Sequence, residues 1–478
     1  MNRGEGWALV AILAIAAVAR IVGLNDQLWY DEIRTLIDSV RNPVEVIVTH
    51  FPSNNNHVLY SLLAHVSIAL GGETSFMMRL PAVIFGVVSV WLIHSFGREV
   101  TGRFEATSAA LLAAVSYHHV WFSQNARGYT ILLCVILFST HMLLVGLKTN
   151  KRGPFLLFGL ISALGAYTHL TMVLAVLGQA VVVAAHLLAQ RRRFIFADWI
   201  NPLLGFVVAA ALTLLLYLPM LTDVSAFFGD PSTSPQAATG GWALLELVRG
   251  LAGGLRLGTV SGAAAALGGA VFLVGCMSYL RQSPMLLALF FMPGATVYFT
   301  SLMMSRPTFP RFFFFLAGFA LLIIVRGVMV IVDWGAARLS ARRFLAPLRL
   351  IATSMMVIVL LVDLPRAYSR SKQDYAGAAK FVEFAASPGD LIVAAGGGTA
   401  YPYHEYYAKP WPQLTGVTDL ATRRKGRTVW VLRTFERYLQ VGQPELLKAL
   451  KTDCTEAKVF RGTLADGEIR VSRCAALP

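Results

Sequence analysis

Residues 7–24 read WALVAILAIAAVARIVGL, a mostly apolar stretch that follows Arg3 and Glu5 near the N-terminus. About 18 apolar residues are enough to cross the hydrocarbon core of a bilayer as a helix. A cleaved signal peptide is the alternative, but its apolar region is usually shorter and a small-x-small cleavage site follows it. No clear site of that kind follows here, so we expect a retained first transmembrane helix.

The composition of the whole chain points to the same environment. Of its 478 residues, 56% are hydrophobic and only 14% are charged, which is more apolar material than a soluble core of this length needs. Apolar windows, read against proline, glycine and charged residues, predict about eleven transmembrane spans. These spans lie near residues 7–24, 79–96, 104–120, 128–147, 154–168, 170–189, 200–219, 259–280, 284–302, 312–332 and 347–364.

The position of the basic residues explains the formal net charge of +15 without a nucleic-acid partner. Many of them lie in short connectors between predicted spans, as the positive-inside rule describes for cytoplasmic loops. With an odd number of spans and the N-terminus inside, the C-terminus lies outside. We therefore expect a multi-pass protein of the cytoplasmic (inner) membrane with a periplasmic or extracellular C-terminal domain. The basic connector residues are Arg98, Arg103, Lys148, Lys151, Arg152, Arg191, Arg192, Arg193, Arg338, Arg342, Arg343 and Arg349.

The chain divides into two predicted parts on this pattern. Residues 1–364 form a transmembrane module, and residues 365–478 read as a small soluble α/β domain on the outer side. The first outer loop covers residues 25–78. Within it, residues 57–70 are apolar but too short to span, and their polar side chains recur on one helical face. We expect this segment to lie in the membrane interface.

The C-terminal domain has the alternation of a mixed α/β fold. Gly396 to Gly398 is interpreted as a loop, because it lacks the Gly-Lys-Ser/Thr ending of a phosphate-binding loop and nucleotide binding is therefore weakly indicated. Asp466-Gly467 is typical of a hairpin turn. The predicted helices cover residues 375–385 and 444–450, and the predicted strands cover residues 391–395, 428–432, 457–460 and 468–471.

The four cysteines fall into two groups. Cys134 and Cys276 lie in predicted spans and are most simply packing residues. Cys454 and Cys474 flank the predicted hairpin on the outer side, where an oxidising compartment would allow a disulfide. The alternative is a pair of small buried thiols, since strand register is not readable from sequence. We predict the disulfide.

Two adjacent carboxylates follow the first span in the sequence Trp29-Tyr30-Asp31-Glu32. Near a membrane surface they cost desolvation energy unless they contact water, cations or a substrate. The alternative is a structural role, because acidic residues in the first turn of a helix interact favourably with its dipole. Both interpretations stay open on these residues alone.

A second polar cluster, Trp121 to Tyr129, lies between two spans on the same outer side. The structural alternative to a functional role is an aromatic belt at the membrane interface with a snorkelling arginine. Arg127 is different, because it follows Gln124 and Asn125 and precedes Gly128. That junction allows a guanidinium to bind a phosphate through two hydrogen bonds.

A third cluster, Arg306 to Arg311, precedes four phenylalanines on the outer side. Two arginines and two prolines predict a stiff basic loop suited to a lipid phosphate, and contact with lipid headgroups is the alternative. His57 adds a possible polar contact, although a histidine at a helix start is more often a cap or a surface residue. Carboxylates and arginines on one membrane face suit transfer from a lipid phosphate.

At these residues the sequence resembles the GT-C glycosyltransferases, in particular bacterial proteins similar to protein mannosyltransferases and lipid A aminoarabinose transferases. The resemblance covers nearly the whole chain, and the order of its motifs is more specific than any one of them. The motifs are Asp31-Glu32, His57-Val58-Leu59-Tyr60, Arg79-Leu80-Pro81, Ser123-Gln124-Asn125-Ala126-Arg127-Gly128-Tyr129, Pro310-Arg311-Phe312, Gln373-Asp374-Tyr375 and Pro388-Gly389-Asp390.

The resemblance implies a GT-C membrane fold, a polyprenyl-phosphate sugar donor, an acceptor hydroxyl outside the cytoplasm and inversion at the anomeric carbon. It implies that Asp31 is the catalytic base and that Glu32 orients the acceptor or contacts a metal. Many relatives have His-Pro-Pro where this chain has His57-Val58-Leu59, which weakens a role for His57. The predicted donor-phosphate residues are Arg127, Arg306, Arg311 and Tyr129, and the predicted substrate-binding residues are Tyr30, His57, Gln124 and Arg79.

Two other functions stay open from the sequence. An oligosaccharide ligase or polymerase would use a lipid-diphosphate donor, and a lipid or glycan transporter would carry no chemistry. Transporters often have related halves and charges near the bilayer midplane, whereas the charged clusters here lie at the outer surface. Asp31 and Glu32 alone supply too few ligands for a metal, so these residues require no cofactor. A divalent cation is still possible. The expected partners are the lipid-linked donor, a glycan, lipid or protein acceptor, and membrane lipids.

Overall fold

The computed structural model describes residues 3–53, 55–189, 197–230, 261–304, 306 and 309–478. The described residues of the N-terminal three quarters of the chain are mostly helical, and the C-terminal part contains a β-sheet. In order, the helices are Arg3–Ile21, Tyr30–Thr35 with a π-helical turn Leu36–Val40, Val44–Thr49, Val58–Gly71, Ser75–Val100, Arg103–Val115, Tyr117–Ser123, Tyr129–Thr149, Arg152–Thr168, Thr171–Ala189, Ala197–Tyr217, Leu221–Gly229, Ser261–Gln282, Pro284–Met303, Ala317–Arg338 and Leu345–Asp363.

Helices lie at all eleven places where the sequence predicts spans. Within the described residues, eight are long and apolar enough to cross a membrane. The other three predicted spans correspond to helices Arg103–Val115, Arg152–Thr168 and Ser261–Gln282, so the count of eleven stays a prediction. The eight candidate spans cover Arg3–Ile21, Ser75–Val100, Tyr129–Thr149, Thr171–Ala189, Asp198–Gly229, Pro284–Met303, Pro310–Arg338 and Arg342–Ala367.

The predicted span at residues 104–120 is wrong in its continuity. The chain breaks at Ser116, whose backbone is extended and whose hydroxyl accepts a hydrogen bond from the His119 N–H. A serine in this conformation is a helix N-cap, so a new short helix begins at Tyr117. The break turns the chain towards Trp121 to Arg127 at the end of the bundle that contacts the C-terminal domain. Most of the predicted outer loop at residues 222–258 lies outside the described residues.

The described part of the C-terminal domain contains a five-stranded mixed sheet in the order β2-β1-β3-β5-β4. Strand β1 pairs in parallel with β2 and β3, while β5 pairs antiparallel with β3 and β4. The predicted helix 375–385 and strand 391–395 are confirmed, and so is the Cys454–Cys474 disulfide. The strands are β1 Leu391–Ala395, β2 Gln413–Leu414, β3 Val429–Arg433, β4 Thr455–Phe460 and β5 Ile469–Cys474. The helices are Tyr375–Ala385, Gly397–Tyr401, Val417–Arg423, Glu436–Gly442 and Pro444–Thr452.

Hydrogen bonds fix this domain against one end of the helical bundle. The Tyr30 N–H donates to Gln373 Oε1 at 3.0 Å, and Trp121 Nε1 donates to Thr463 Oγ1 at 3.0 Å. Lys372 Nζ donates to the Gln124 carbonyl at 2.6 Å. The first outer loop and the C-terminal domain are therefore on the same side of the bundle, as the sequence predicts.

Candidate active site

The short helix Tyr30–Thr35 points the two adjacent carboxylates, Asp31 and Glu32, in different directions. Trp29 has an extended backbone, and its N–H donates to Glu32 Oε2 at 3.2 Å, which closes the first turn. Consecutive helical residues point about 100° apart around the axis. Asp31 and Glu32 therefore face different surroundings although they are neighbours in sequence.

Glu32 lies in a closed network, here called the Glu32 cluster, with Arg79, Ala126 and Lys372. Arg79 Nε and Nη2 donate to the Glu32 carboxylate at 2.8 and 2.6 Å, and the Ala126 N–H donates at 2.7 Å. Burial opposes ionisation of Glu32, but the charges of Arg79 and Lys372 and these hydrogen bonds hold its pKa below the ordinary value. The remaining Arg79 contacts are to the carbonyls of Leu24, Asp26 and Gln27.

Asp31 faces a cavity of about 600 Å³ between the bundle and the C-terminal domain. The residue is only 7% exposed, and its Oδ2 accepts no hydrogen bond from any residue that the structure describes. Arg311 Nη2 lies 3.5 Å from this oxygen. A buried carboxylate oxygen beside a cation and an open cavity is available to a substrate hydroxyl.

Arg127 lies behind Asp31 and is buried. It donates to Asn55 Oδ1 and, at 3.3 Å, to Thr35 Oγ1. Asn55 in turn donates to the Asp31 carbonyl at 3.2 Å. The guanidinium lies 5.7 Å from the centre of the Tyr129 ring. Its Nε is buried and donates to none of the described residues, and Arg127 does not itself line the cavity.

The structure separates the two arginines of the third predicted cluster. Arg311 lines the cavity and lies 4.1 Å from the centre of the Phe309 ring. Arg306 does not line the cavity, and it donates to the Phe228 carbonyl. The structure therefore brings Arg311, but not Arg306, to Asp31.

Two buried histidines pack beside Arg127 and Tyr129. The His57 and His169 rings are 4.8 Å apart, and His57 lies 5.3 Å from the Tyr129 ring. Burial, and then the positive charge of Arg127, lower the pKa of both imidazoles, for His169 to about 3. The Thr171 N–H donates to His169 Nδ1 at 3.1 Å, so the neutral ring carries its proton on Nε2. The sequence offered no signal for His169 beyond its place in a hairpin.

The comparisons with known proteins agree with this architecture. Residues 56–221 match the family model of the dolichyl-phosphate-mannose-protein mannosyltransferases. The structure is similar to ArnT from Cupriavidus metallidurans bound to undecaprenyl phosphate, with 14% identity, 99% of each chain covered and a TM-score of 0.55. No curated protein sequence matches the chain.

An oligosaccharyltransferase from Archaeoglobus fulgidus, in complex with Zn and sulfate, shares 14% identity over 98% of this chain and 73% of that chain, with a TM-score of 0.56. The archaeal oligosaccharyltransferase AglB from the same organism, in complex with an inhibitory peptide and a dolichol-phosphate, shares 13% identity over 98% of this chain and 74% of that chain, with a TM-score of 0.54. This chain has the GT-C fold. The resemblance predicted from the sequence is confirmed at that level.

Several predicted substrate-binding residues of this GT-C chain have internal partners in the structure. Gln124 Nε2 donates to the carbonyls of Arg20 and Val22 at 3.1 and 2.6 Å. Arg79 belongs to the Glu32 cluster. Tyr30 lines the cavity, and its ring lies 5.6 Å from Phe435. Of these three residues, Tyr30 alone contributes to the cavity wall.

Sequence reasoning missed the wall that the C-terminal domain supplies to the cavity. This wall lies at the ends of strands β1 and β3 and in the β4–β5 loop. No motif marks its residues, because they meet only after the sheet has formed and docked on the bundle. They include Gly398, Thr434, Phe435, Arg437, Tyr438, Gln443 and Asp466.

The carboxylates do not fit a divalent cation as they stand. Glu32 is paired with Arg79, and Asp31 has a guanidinium as its charged neighbour. Within the described part of the chain, no three His, Cys, Asp or Glu side chains are grouped as metal ligands would be. A hard cation needs several oxygen ligands, so we derive no catalytic step through a metal.

Proposed function

We propose that this chain transfers a single sugar from a polyprenyl-phosphate donor to an acceptor hydroxyl at the outer face of the cytoplasmic membrane. One observation carries the proposal: the buried Asp31 carboxylate lines the cavity with an oxygen that accepts no hydrogen bond from the described residues and lies 3.5 Å from Arg311 Nη2. This placement supports a general base next to a phosphate-binding group. We further propose that the C-terminal domain is periplasmic or extracellular.

The reaction is a single displacement. Asp31 takes the proton of the acceptor hydroxyl while the acceptor oxygen forms a bond to the anomeric carbon of the donor sugar. The bond between that carbon and the phosphate oxygen breaks, and its electron pair leaves with the polyprenyl phosphate. Attack opposite the leaving group inverts the anomeric carbon.

The leaving phosphate gains negative charge in this step. Arg311 lines the cavity beside Asp31, and Arg127 is buried behind Asp31 with an Nε that donates to none of the described residues. Both guanidinium groups stabilise that charge better than a lysine would, because their donors match two phosphate oxygens. His169 Nε2–H and Tyr129 lie beside Arg127. A neutral donor there adds a hydrogen bond to the phosphate without adding charge.

The lipids in similar structures support a monophosphate donor. ArnT of Cupriavidus metallidurans is bound to undecaprenyl phosphate, and AglB of Archaeoglobus fulgidus is bound to a dolichol-phosphate. An oligosaccharide ligase that uses a lipid-diphosphate donor is the second candidate, since the archaeal relatives are oligosaccharyltransferases. A buried base and arginines at one site favour an enzyme over a transporter.

Donor chemistry tests the proposal. The purified full chain is incubated with polyprenyl-phosphate monosaccharides or with polyprenyl-diphosphate oligosaccharides, in each case with an envelope extract as acceptor. We expect mass spectrometry to detect transfer of one sugar from the monophosphate donor only. Transfer from the diphosphate donor alone would establish the ligase instead. Activity that disappears in a chelator and returns with a divalent cation would show a metal requirement that these residues do not predict.

A further inference from the structure

Phe435 has a backbone conformation that is rare for an aromatic residue. Its φ is +53° and its ψ is 55°, between strand β3 and helix Glu436–Gly442. A bulky side chain is disfavoured in this left-handed region, and such conformations persist where the surrounding structure enforces them, often at ligand sites. The Phe435 N–H donates to the Asp466 carbonyl at 3.2 Å, which helps to hold the turn.

Three neighbours fix the Phe435 ring in the cavity wall. A Cβ atom at Gly398 would lie 2.7 Å from Phe435 Cδ2, so the ring packs directly on this glycine. The ring centres of Tyr30 and Tyr438 lie 5.6 and 6.2 Å away. Phe435 is therefore a rigid aromatic surface that faces the cavity from the C-terminal domain, while Asp31 and Arg311 face it from the bundle.

The same cavity presents hydrogen-bond acceptors. Gln443 lines it, and its Nε2 donates to the Thr415 carbonyl at 3.3 Å. Its Oε1 is buried and accepts nothing from the described residues. With Asp31 Oδ2, this makes two acceptors that a ligand with several hydroxyl groups would satisfy. The C–H groups on one face of a sugar ring are drawn to the electron-rich face of an aromatic ring.

We propose that the acceptor is a carbohydrate whose ring stacks on Phe435, with one hydroxyl bound to Gln443 Oε1 and the reacting hydroxyl bound to Asp31. This inference rests on the proposed function and names its acceptor class. The C-terminal domain then positions the acceptor, and the bundle binds the donor phosphate.

The cavity fits a peptide acceptor less well. An extended peptide gains its main contacts by pairing with the edge of a sheet. Strand β2 is the edge strand that reaches the cavity, through Gln413, and it has only 2 residues. A two-residue edge offers few backbone hydrogen bonds, whereas an aromatic ring and separated acceptors suit a sugar.

The unusual φ of Phe435 allows a test that separates structure from binding. Phe435→Gly removes the ring and also relieves the backbone, because glycine adopts positive φ freely. Ala408→Gly is the matched control, since Ala408 has a φ of +50° and does not line the cavity. Gly398→Ala leaves Phe435 in the chain but forces its ring to move.

Cells that lack the protein are complemented with the wild-type chain or each variant, and mass spectrometry compares their envelope glycans and envelope proteins. We expect the wild type and Ala408→Gly to add a sugar to a glycan. Phe435→Gly and Gly398→Ala should reduce that product by up to about tenfold, the effect of losing an aromatic contact. The thermal unfolding midpoint of the purified Phe435→Gly chain should not fall below that of the wild type by more than a few degrees.

The outcomes separate this inference from the proposed function. Sugar found on protein side chains would overturn the carbohydrate acceptor while leaving glycosyl transfer intact. Wild-type levels of glycan product with Phe435→Gly would overturn the role of Phe435. Identical envelopes with and without the wild-type chain would contradict the proposed function itself, and with it this inference.

Discussion

The Glu32 cluster and the Asp31 cavity give two neighbouring carboxylates opposite surroundings. Glu32 is fully buried and accepts hydrogen bonds from Arg79, Ala126 and its own helix start. At the edge of a cavity, one Asp31 oxygen accepts no hydrogen bond from the described residues, and Arg311 is its ion-pair neighbour at 3.5 Å. The Glu32 carboxylate is therefore used in internal hydrogen bonds, whereas the Asp31 carboxylate is left available. This contrast predicts different consequences for closely matched substitutions.

The largest effect on activity is expected from Asp31→Asn. An amide does not accept the proton of an attacking hydroxyl, so transfer should fall by about 10²- to 10⁴-fold, the contribution of one general base. Folding should be retained, because the substitution keeps the shape of the side chain and breaks no described hydrogen bond of Asp31 Oδ2. Turnover by the purified variant, compared with its thermal unfolding, measures both effects. Near-normal turnover would remove Asp31 from the role of base.

Glu32→Gln should lower the folding stability, in addition to any effect on catalysis. The substitution leaves the buried Arg79 without its counter-charge, and loss of one partner of a buried pair costs about 3–5 kcal/mol. The matched control is Glu73→Gln, which breaks the Arg41–Glu73 pair, where both side chains are 40% exposed. That pair should contribute about 1 kcal/mol or less.

Thermal unfolding of the two glutamate variants in the same detergent measures this difference. We expect a clear loss of stability for Glu32→Gln and little change for Glu73→Gln. Equal midpoints for both variants would show that the Glu32 cluster does not hold the first outer loop to the bundle, and the contrast with Asp31 would lose its basis.

The donor side of the cavity predicts a smaller effect. Arg311→Lys and Arg127→Lys keep the positive charge but lose the paired donors of the guanidinium, so donor affinity should fall about tenfold. Arg306→Lys is the control, because Arg306 donates to the Phe228 carbonyl. Arg311 instead pairs with Asp31, and Arg127 is linked to the Asp31 carbonyl through Asn55. Binding of undecaprenyl phosphate to the purified chain is the measurement. A loss confined to Arg306→Lys would reverse the assignment.

The sequence predicted the fold well where one physical signal dominated. Long apolar stretches mark helices at every predicted span. Short stretches between turn residues, with Asp466-Gly467 between the last two, predicted strands β1 and β3 to β5. Helix Arg103–Val115 shows the limit, because the Ser116 break depends on a hydrogen bond to His119 that apolar content does not reveal. The Cys454–Cys474 disulfide followed from the hairpin that brings its two strands together.

The site was predictable only on the bundle side. Asp31, Arg127 and Arg311 stand out as charged residues near a membrane, where charge is costly and therefore informative. Arg79 carries the same signal, and Gln124 is an uncharged polar residue in the same cluster as Arg127, but the structure uses both in internal hydrogen bonds. Phe435 and Gln443 carry no signal, since aromatic and amide residues are common in a soluble domain and their shared cavity depends on domain docking.

The contribution of Lys372 to the pH dependence of folding stability tests the Glu32 cluster. Burial, and then the positive charge of Arg79, lower the pKa of this lysine to about 7, whereas an unfolded lysine has a pKa near 10.4. Between these values the unfolded chain binds more protons than the folded chain, so folding stability rises with pH above about 7. The gain should be about 1.4 kcal/mol per pH unit at most for one such group, and it should be missing in Lys372→Met. Lys409→Met, at a partly exposed ion pair with Glu383, controls for the loss of a positive charge. Thermal unfolding of the three chains at pH 7, 8 and 9 decides the matter: parallel curves for the wild type and Lys372→Met would mean that Lys372 is not held out of water beside the Glu32 cluster.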